Sequence, residues 1–493
     1  MGKSTELDVK VKFGLKSFIT VVAILIVVLI AVGVLTFVIP AGRYTIYTTD
    51  ESKAEQPFYL YTDDESLNNQ IVIDSFRELT DEENSSRLAI WRWFTAPFEA
   101  MILGSNSSNM IMIIALLLVL GGTFKVLEES GGLVSLVRVI MNKLQAKRFA
   151  AIWAITAVIM VLSAVFGLQE QLLILYPVFA MLCTALNWSR FTAISFVLIA
   201  SGVGFTTAIT NPLTIGTASI AAGVSVTDGL WYRCIIFCVM YVITALFLTY
   251  LAKRDEKKAI EKFDVQGFVT VSDEEHTEDV RKSKMIILLF SIALLSVIIT
   301  TSIEALRSLA MVFMAVAFIV GTVIIGRLLL GSYKRLGISF IKGVKDVLPS
   351  IVIIMIAFGI TYIAQQGNIL HTIFHYFYNS VTNISPYLAV ILLYAFVLII
   401  EFFIPSASAK AVLIIPMLTL APIDGISTTV IILTYLFADG YTNVLYPTCG
   451  TLLVGLGLAN VSFAEWFKKT ILFQLLLMIM SLGFLMLAVF IGL

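Results

Sequence analysis

Residues 401–416, EFFIPSASAKAVLIIP, break into one of the most apolar parts of the chain with Glu401, Pro405, Ser406, Ser408 and Lys410. A helix that simply crosses a bilayer has no use for them. Proline removes a backbone donor, and an ionisable group at the bilayer centre costs at least about 2.5–3.5 kcal/mol. Irregular polar chain at membrane depth persists only where protein buries it or where it lines a watery cavity.

The rest of the sequence places this stretch at that depth. Of 493 residues, 59% are hydrophobic and only 13% charged, with a mean hydropathy of +0.96, which excludes an ordinary soluble domain. Windows long enough to span a hydrocarbon core recur, among them residues 17–40, 285–300, 308–326 and 471–493. Their length excludes a barrel of short alternating strands. The first window lacks a small-residue cleavage site and reads as a retained span. Net charge is zero, which gives no ground for a nucleic-acid partner. Cys183, Cys234, Cys238 and Cys449 lie in apolar segments without metal-like spacing.

Charge placement orients the chain. Lys3, Lys10, Lys12 and Lys16 precede the first span, placing the N-terminus in the cytoplasm. The loop 41–108, with Asp63, Asp64, Glu65, Asp81, Glu82 and Glu83, then lies outside. Basic runs further on mark later cytoplasmic edges, and threading between them gives spans near 16–39, 109–127, 229–252, 285–303, 309–331, 347–366 and 469–492, with the C-terminus outside.

Two regions, about 149–224 and 386–460, are too long for one span, and each is interrupted by polar residues, Gly and Pro. They match one another: Pro212 aligns with Pro447 and Trp231 with Trp466 at one offset, and GLQEQLLILYP (167–177) and SASAKAVLIIP (406–416) both end in Pro after the same interval. One copy is entered from the cytoplasmic side and the other from outside, so the expected fold is an all-α polytopic membrane protein with two inverted-topology repeats, each holding a re-entrant helical hairpin and a broken transmembrane helix.

The expected divisions are scaffold helices with their outer loop (1–148), first hairpin and broken helix (149–228), a span (229–252), a cytoplasmic linker (253–284), second scaffold helices (285–385), second hairpin and broken helix (386–460) and a last span (461–493). Amphipathic interfacial helices are expected at 131–146 and 368–382. His371 and His375 fall in the second of these, where HTIFHYFY (371–378) reads as an aromatic membrane anchor more readily than as a metal site.

Four breaks are expected to meet at the midplane: 167–171, 206–212, 405–411 and 439–447. Half-helices starting there aim free N–H groups and positive dipole ends inward, a setting for a carboxylate. Gln169, Glu170, Thr207, Asn211, Ser406, Ser408, Lys410, Thr442, Asn443 and Thr448 are the candidate substrate residues, and Glu170, Asp439, Asn211 and Asn443 the candidate ion-coupling residues, with Na⁺ or H⁺ as the coupling ion. Glu170 and Lys410, on opposite hairpin tips, either pair directly or divide the substrate's charges between them. Glu401 is placed one hairpin arm away.

At these residues the sequence resembles the DcuC/YfcC-type carriers, the four-carbon dicarboxylate anaerobic carrier family within the ion transporter superfamily. The motifs are FFIPSASAKA (402–411), ADGYTNVLYPTCG (438–450) and TNPLTIGTASIAAG (210–223). Glu401 stands where that family often has Asn, Ala407 and Ala409 replace glycines, and Gln171 stands where a second Glu often follows. The resemblance implies a scaffold that dimerises, a transport domain carrying the hairpins, elevator-like movement, and contact between the Ser406–Ser408 tip and substrate carboxylate. It also implies substrates ranging over dicarboxylates, short organic acids and basic amino acids.

The sequence therefore reads as a secondary active transporter of a small carboxylate-bearing metabolite in the plasma membrane, with no ATP motif. Glu170, Asp439 and Glu401 against one Lys410 leave the expected cavity net acidic, which favours an amino acid such as arginine or ornithine over a bare dicarboxylate. An ion channel or an intramembrane enzyme using Glu170 or Asp439 are the rival classes.

Overall fold

The computed structural model describes the chain except residues 1–14, 51–57, 64–71, 73–74, 81, 105–106, 145–146, 259–272, 304–305, 307–308, 382–383, 405–406 and 421–424. Lys3, Lys10, Lys12, Asp64, Glu65, Asp81 and the middle of the expected linker lie outside the described residues. Helix α1 (Leu15–Val38) leads into a loop with strands β1 (Gly42–Arg43), β2 (Ile46–Thr48), β3 (Tyr59–Tyr61) and β4 (Arg77–Glu78), then α2 (Ala96–Leu103), α3 (Ser107–Glu129) and α4 (Gly132–Leu144). β1 pairs antiparallel with β4 and β2 parallel with β3, so the chain is not wholly helical as expected.

The first half continues through α5 (Arg148–Phe166), α6 (Tyr176–Ala185), α7 (Arg190–Thr207), α8 (Thr217–Ala222) and α9 (Leu230–Lys258). The second half holds α10 (Asp273–Ser302), α11 (Ala310–Leu330), α12 (Tyr333–Gln366), α13 (Ile369–Val381), α14 (Pro386–Phe403), α15 (Ala407–Leu420), α16 (Thr428–Thr442), α17 (Gly450–Ala459) and α18 (Phe463–Phe490). Among the described residues nine helices are long and apolar enough to cross a membrane.

Two helices start earlier than their apolar windows. α12 has 34 residues and runs through Pro349, about 50 Å at 1.5 Å per residue, although the expected span begins only near 347. Its first turns are held by Glu129 at the end of α3, which takes Lys342 at 3.1 Å and the Ser339 hydroxyl. α10 begins at Asp273, and its Asp279 accepts from Ser135 and Arg138 of α4, both at 2.5 Å. Those bonds dock the amphipathic α4 and extend a helix into residues expected to be linker.

α3 and α12 cross at a glycine contact. A Cβ on Gly343 would lie 2.0 Å from the Gly121 carbonyl oxygen, and one on Gly121 would lie 2.7 Å from that of Gly343. The backbones touch there, and no side chain fits between them. Thr123 and Thr322 hydroxyls, 2.8 Å apart and buried, join α11 to the same seam.

Side-chain contacts define two faces. On one, the Phe149 and Trp188 rings stack, Arg148 and Trp188 both bond Glu256, Ser189 and Thr192 bond Asp255, and Lys469 sits over Phe191. α5, the end of the α6 arm, the start of α7, the end of α9 and the start of α18 meet there. At the far ends of α9 and α18, Gly229 lies against Thr429 and Leu493, Ser427 donates to the Leu493 carbonyl, and Gly425 touches Pro386. Each of the segments 148–188 and 386–425 thus begins and ends on a single face, and the two use opposite faces.

The loop after α1 lies on the second face and grips α13. The Tyr44 amide donates to His371 Nδ1 at 3.2 Å, the Tyr44 hydroxyl meets His375 Nδ1 at 3.0 Å, and Phe76 stacks on His375 with centroids 4.0 Å apart. These aromatic and imidazole groups were expected to anchor α13 in lipid. The loop takes His371 and His375, because Tyr44 and Phe76 offer rings and donors that acyl chains lack, while Tyr376 is 55% exposed.

Two outcomes follow from this packing. Gly343→Leu lowers the melting temperature of the purified protein by an overpacking penalty of about 1–3 kcal/mol, whereas Gly337→Ala, with nothing within 4 Å on the same helix, leaves it equal or higher. Burial, with Arg43 beside it, pushes the His371 imidazole down to about 4. The docked loop therefore favours neutral His371, and its docking weakens as pH falls from about 6.5 toward 4. Hydrogen exchange at the Tyr44 amide, corrected for its intrinsic rate, accelerates over that window, and the change is absent in His371→Asn.

Candidate functional site

The end of α5 and the end of α7 meet inside the molecule. α5 stops at Gly167, whose φ of +74° suits glycine and whose Cβ would fall 2.3 Å from Asn211 Oδ1. The Thr210 and Asn211 amides both donate to the Ala164 carbonyl at 3.1 Å. α7 breaks at Ala208, in the left-handed region, and the chain resumes as a π-helical turn, Pro212–Gly216, capped by Asn211 Oδ1 accepting from the Leu213 amide at 2.8 Å. Proline and glycine residues make these breaks locally, and each tip satisfies part of the other's exposed backbone.

α16 crosses α7 in the opposite direction at this depth. A Cβ on Gly440 would be 2.4 Å from the Thr206 nitrogen, and one on Gly202 would be 2.7 Å from Val444. α16 ends at Thr442, α17 begins at Gly450, and the carbonyl of Val444 in the gap is taken by the buried Trp466 Nε1 at 2.8 Å. Asn443 Nδ2 donates to Gln169 Oε1 at 3.2 Å, a bond between the first hairpin tip and the second broken helix.

Around this bond, buried polar atoms outnumber their partners. Gln169 Nε2, Gln171 Oε1, Asn211 Nδ2, Thr214 Oγ1, Ser219 Oγ and Thr448 Oγ1 have none among the described residues. Glu170 accepts from the Thr451 hydroxyl, at 3.4 Å, in the first turn of α17, and no cation pairs with it among the described residues. Thr207 and Thr442 turn inward along their own helices, their hydroxyls donating to the Gly204 carbonyl at 2.9 Å and the Ala438 carbonyl at 2.8 Å.

A second polar cluster lies between α14, α15 and α16. Lys410, 0% exposed, donates to Asp439 Oδ1 at 2.5 Å and also abuts Glu401, with Asp439 0% and Glu401 1% exposed. Its ammonium lies 5.4 Å from the Tyr435 ring centroid, and the Tyr435 hydroxyl donates to the Ala407 carbonyl at 2.5 Å. The sequence left open a direct Glu170–Lys410 pair. The structure gives Lys410 two carboxylate partners from its own half, because the last turns of α14 and α16 flank the first turn of α15. Glu401, placed an arm away by the sequence, belongs to the cluster.

The clusters are linked: Asp439 and Asn443 lie one turn apart on α16, and Asn443 carries the bond to Gln169. Ser406 and the Ser408 side chain lie outside the described residues. Thr451, Tyr435, Thr214 and Ser219 escaped the sequence reading. A Thr or Ser hydroxyl in a membrane helix ordinarily bonds its own backbone, and a buried Tyr reads first as a packing ring.

Removing Lys410 leaves the two buried carboxyl groups without their cation. Lys410→Met costs about 3–5 kcal/mol of stability, read as a fall in the thermal unfolding midpoint in detergent, and Glu401→Gln/Asp439→Asn in the same chain recovers most of it.

A family model described as C4-dicarboxylate anaerobic carrier, DcuC, matches residues 17–490. The chain is 24% identical over 488 residues to a protein of Escherichia coli named "Putative basic amino acid antiporter YfcC", covering 93% of this chain and 94% of that one. It is 22% identical over 479 residues to an uncharacterised protein of Haemophilus influenzae, with 90% and 91% covered. Among solved structures it is similar to the YdaH transporter of Alcanivorax borkumensis, with a TM-score of 0.42 and 15% identity over 97% of this chain and 99% of that one. MtrF of Neisseria gonorrhoeae, of a class of antimetabolite efflux pumps, gives 0.44 and 14% over 95% of each chain. The chain belongs to the C4-dicarboxylate anaerobic carrier family.

Proposed function

We propose that this member of the C4-dicarboxylate anaerobic carrier family is a secondary active transporter of a small carboxylate-bearing metabolite, with an amino acid bearing a cationic side chain, such as arginine or ornithine, as its preferred solute. The observation that carries this reading is Glu170. It is a carboxylate with no cation partner among the described residues, set beside amide donors on Gln169 and Asn211 that have no acceptor.

Such a constellation complements a solute with both kinds of charge. Glu170 takes the cationic group, while the two amides and the N-terminus of α17 take the carboxylate. Lys410 is already held by Asp439 and Glu401, so it leaves the negative charge of Glu170 unopposed. The name given to the Escherichia coli relative points the same way. A four-carbon dicarboxylate is the second reading. The family description favours it, and Glu170, which would repel one of its ends, weighs against it.

Hairpins begun from opposite faces and broken helices crossing antiparallel support two inverted-topology repeats. In this reading α5–α9 and α14–α18 move as one body against α1, α3 and α10–α12, in an elevator-like cycle, with the N-terminus cytoplasmic and the scaffold forming a homodimer.

Counterflow in proteoliposomes tests the function. Internal arginine or ornithine accelerates uptake of labelled arginine, and Glu170→Gln lowers kcat/KM for arginine by roughly 10–100-fold, the worth of one charge-assisted hydrogen bond. Acceleration by internal succinate or fumarate and not by arginine would establish the dicarboxylate reading. Absence of any trans-stimulation would overturn the carrier.

A further inference from the structure

The cluster of Lys410, Glu401 and Asp439 has an unbalanced charge. One ammonium faces two carboxylates, and all three groups are buried to 1% exposure or less. With both carboxylates ionised it carries one net negative charge at membrane depth, where an uncompensated ion costs several kcal/mol.

Among the described residues the surroundings supply no second cation. Tyr435 underlies the ammonium and Cys449 lies within its electrostatic reach. Tyr387, Tyr394, Tyr441 and Tyr446 are the other titratable groups on or beside α14 and α16, and Glu170 lies beyond Cys449. The π-helical turn and α8, which pack on α15, contain no ionisable residue. α7 has only Arg190, at its first position, and the ionisable residues of α18 are confined to Glu465, Lys468 and Lys469 in its first turns. On α13 the two histidines are engaged by Tyr44. On α12 the charged residues, Lys334 to Asp346, lie in its first fourteen positions, toward Glu129.

We infer that the Glu401–Asp439 pair carries one transportable proton: the cluster is neutral with one of the two carboxylates protonated, and transport is coupled to that proton. Lys410 touches Glu401 Oε2 and donates to Asp439 Oδ1, while Glu401 Oε1 and Asp439 Oδ2 have no hydrogen-bond partner among the described residues. A single ammonium between two buried carboxylates favours one proton on the pair. On release the proton passes to water on whichever face the site opens to, leaving both carboxylates to share the ammonium. The link to solute runs from Asp439 through Asn443, one turn away, to Gln169.

This inference rests on the transporter reading, and the experiment separates the two. Counterflow by the wild type at equal pH on both sides tests transport alone, and its absence overturns both. In Na⁺-free proteoliposomes, a pH gradient of one unit in the favourable direction drives roughly tenfold accumulation of labelled arginine for one coupled proton. Glu401→Gln loses that accumulation relative to its own counterflow rate, and Glu401→Asp recovers part of it. Infrared spectra of the purified protein at neutral pH contain a protonated-carboxyl band that Glu401→Gln lacks, a readout that needs no transport. Gradient-driven accumulation that persists in Glu401→Gln, a requirement for Na⁺ in the wild type, or an unchanged carboxyl band in the variant would each overturn the proposal.

Discussion

Backbone amides and carbonyls in hydrocarbon must find partners inside the protein, and this constraint orders the whole interior. α5, α7 and α16 stop inside the molecule, and partners from within the protein meet their open ends. The Ala164 carbonyl takes the amides of the α7 break, Asn211 caps the turn that follows, and Trp466 reaches in for the Val444 carbonyl. Satisfaction of the main chain is partial at the side-chain level. The side-chain amides of Gln169 and Asn211 remain without acceptors among the described residues.

The sequence announced the breaks, because Gly167, Pro212, Pro405 and Pro447 are local signals that need no knowledge of packing. The expected kinship of the two interrupted regions rested on prolines and tryptophans at one offset. The sequence did not announce partners. Whether Lys410 faces Glu170 or Asp439 depends on how the last turns of α14 and α16 sit beside α15, and no residue spacing encodes that. The aligned tryptophans diverge for the same reason: Trp466 is fully buried with its indole bonded, and Trp231 is exposed.

Misread lengths have a common physical source. Hydropathy marks the part of a helix in contact with acyl chains, while α10 and α12 continue because Asp279 and Glu129 give their polar first turns something to hold. In α13 the pattern of aromatic residues on one face was legible. What packs on it was not, since Tyr44 and Phe76 arrive from roughly three hundred residues away.

The contact of Gly440 with Thr206 has a mechanical side. With the backbone of one helix seated directly on the other and Val444 filling the space beside Gly202, neither helix has a groove along which to slide. The seating opposes sliding of one helix along the other. A residue bulkier than glycine at Gly440 would force the two backbones apart.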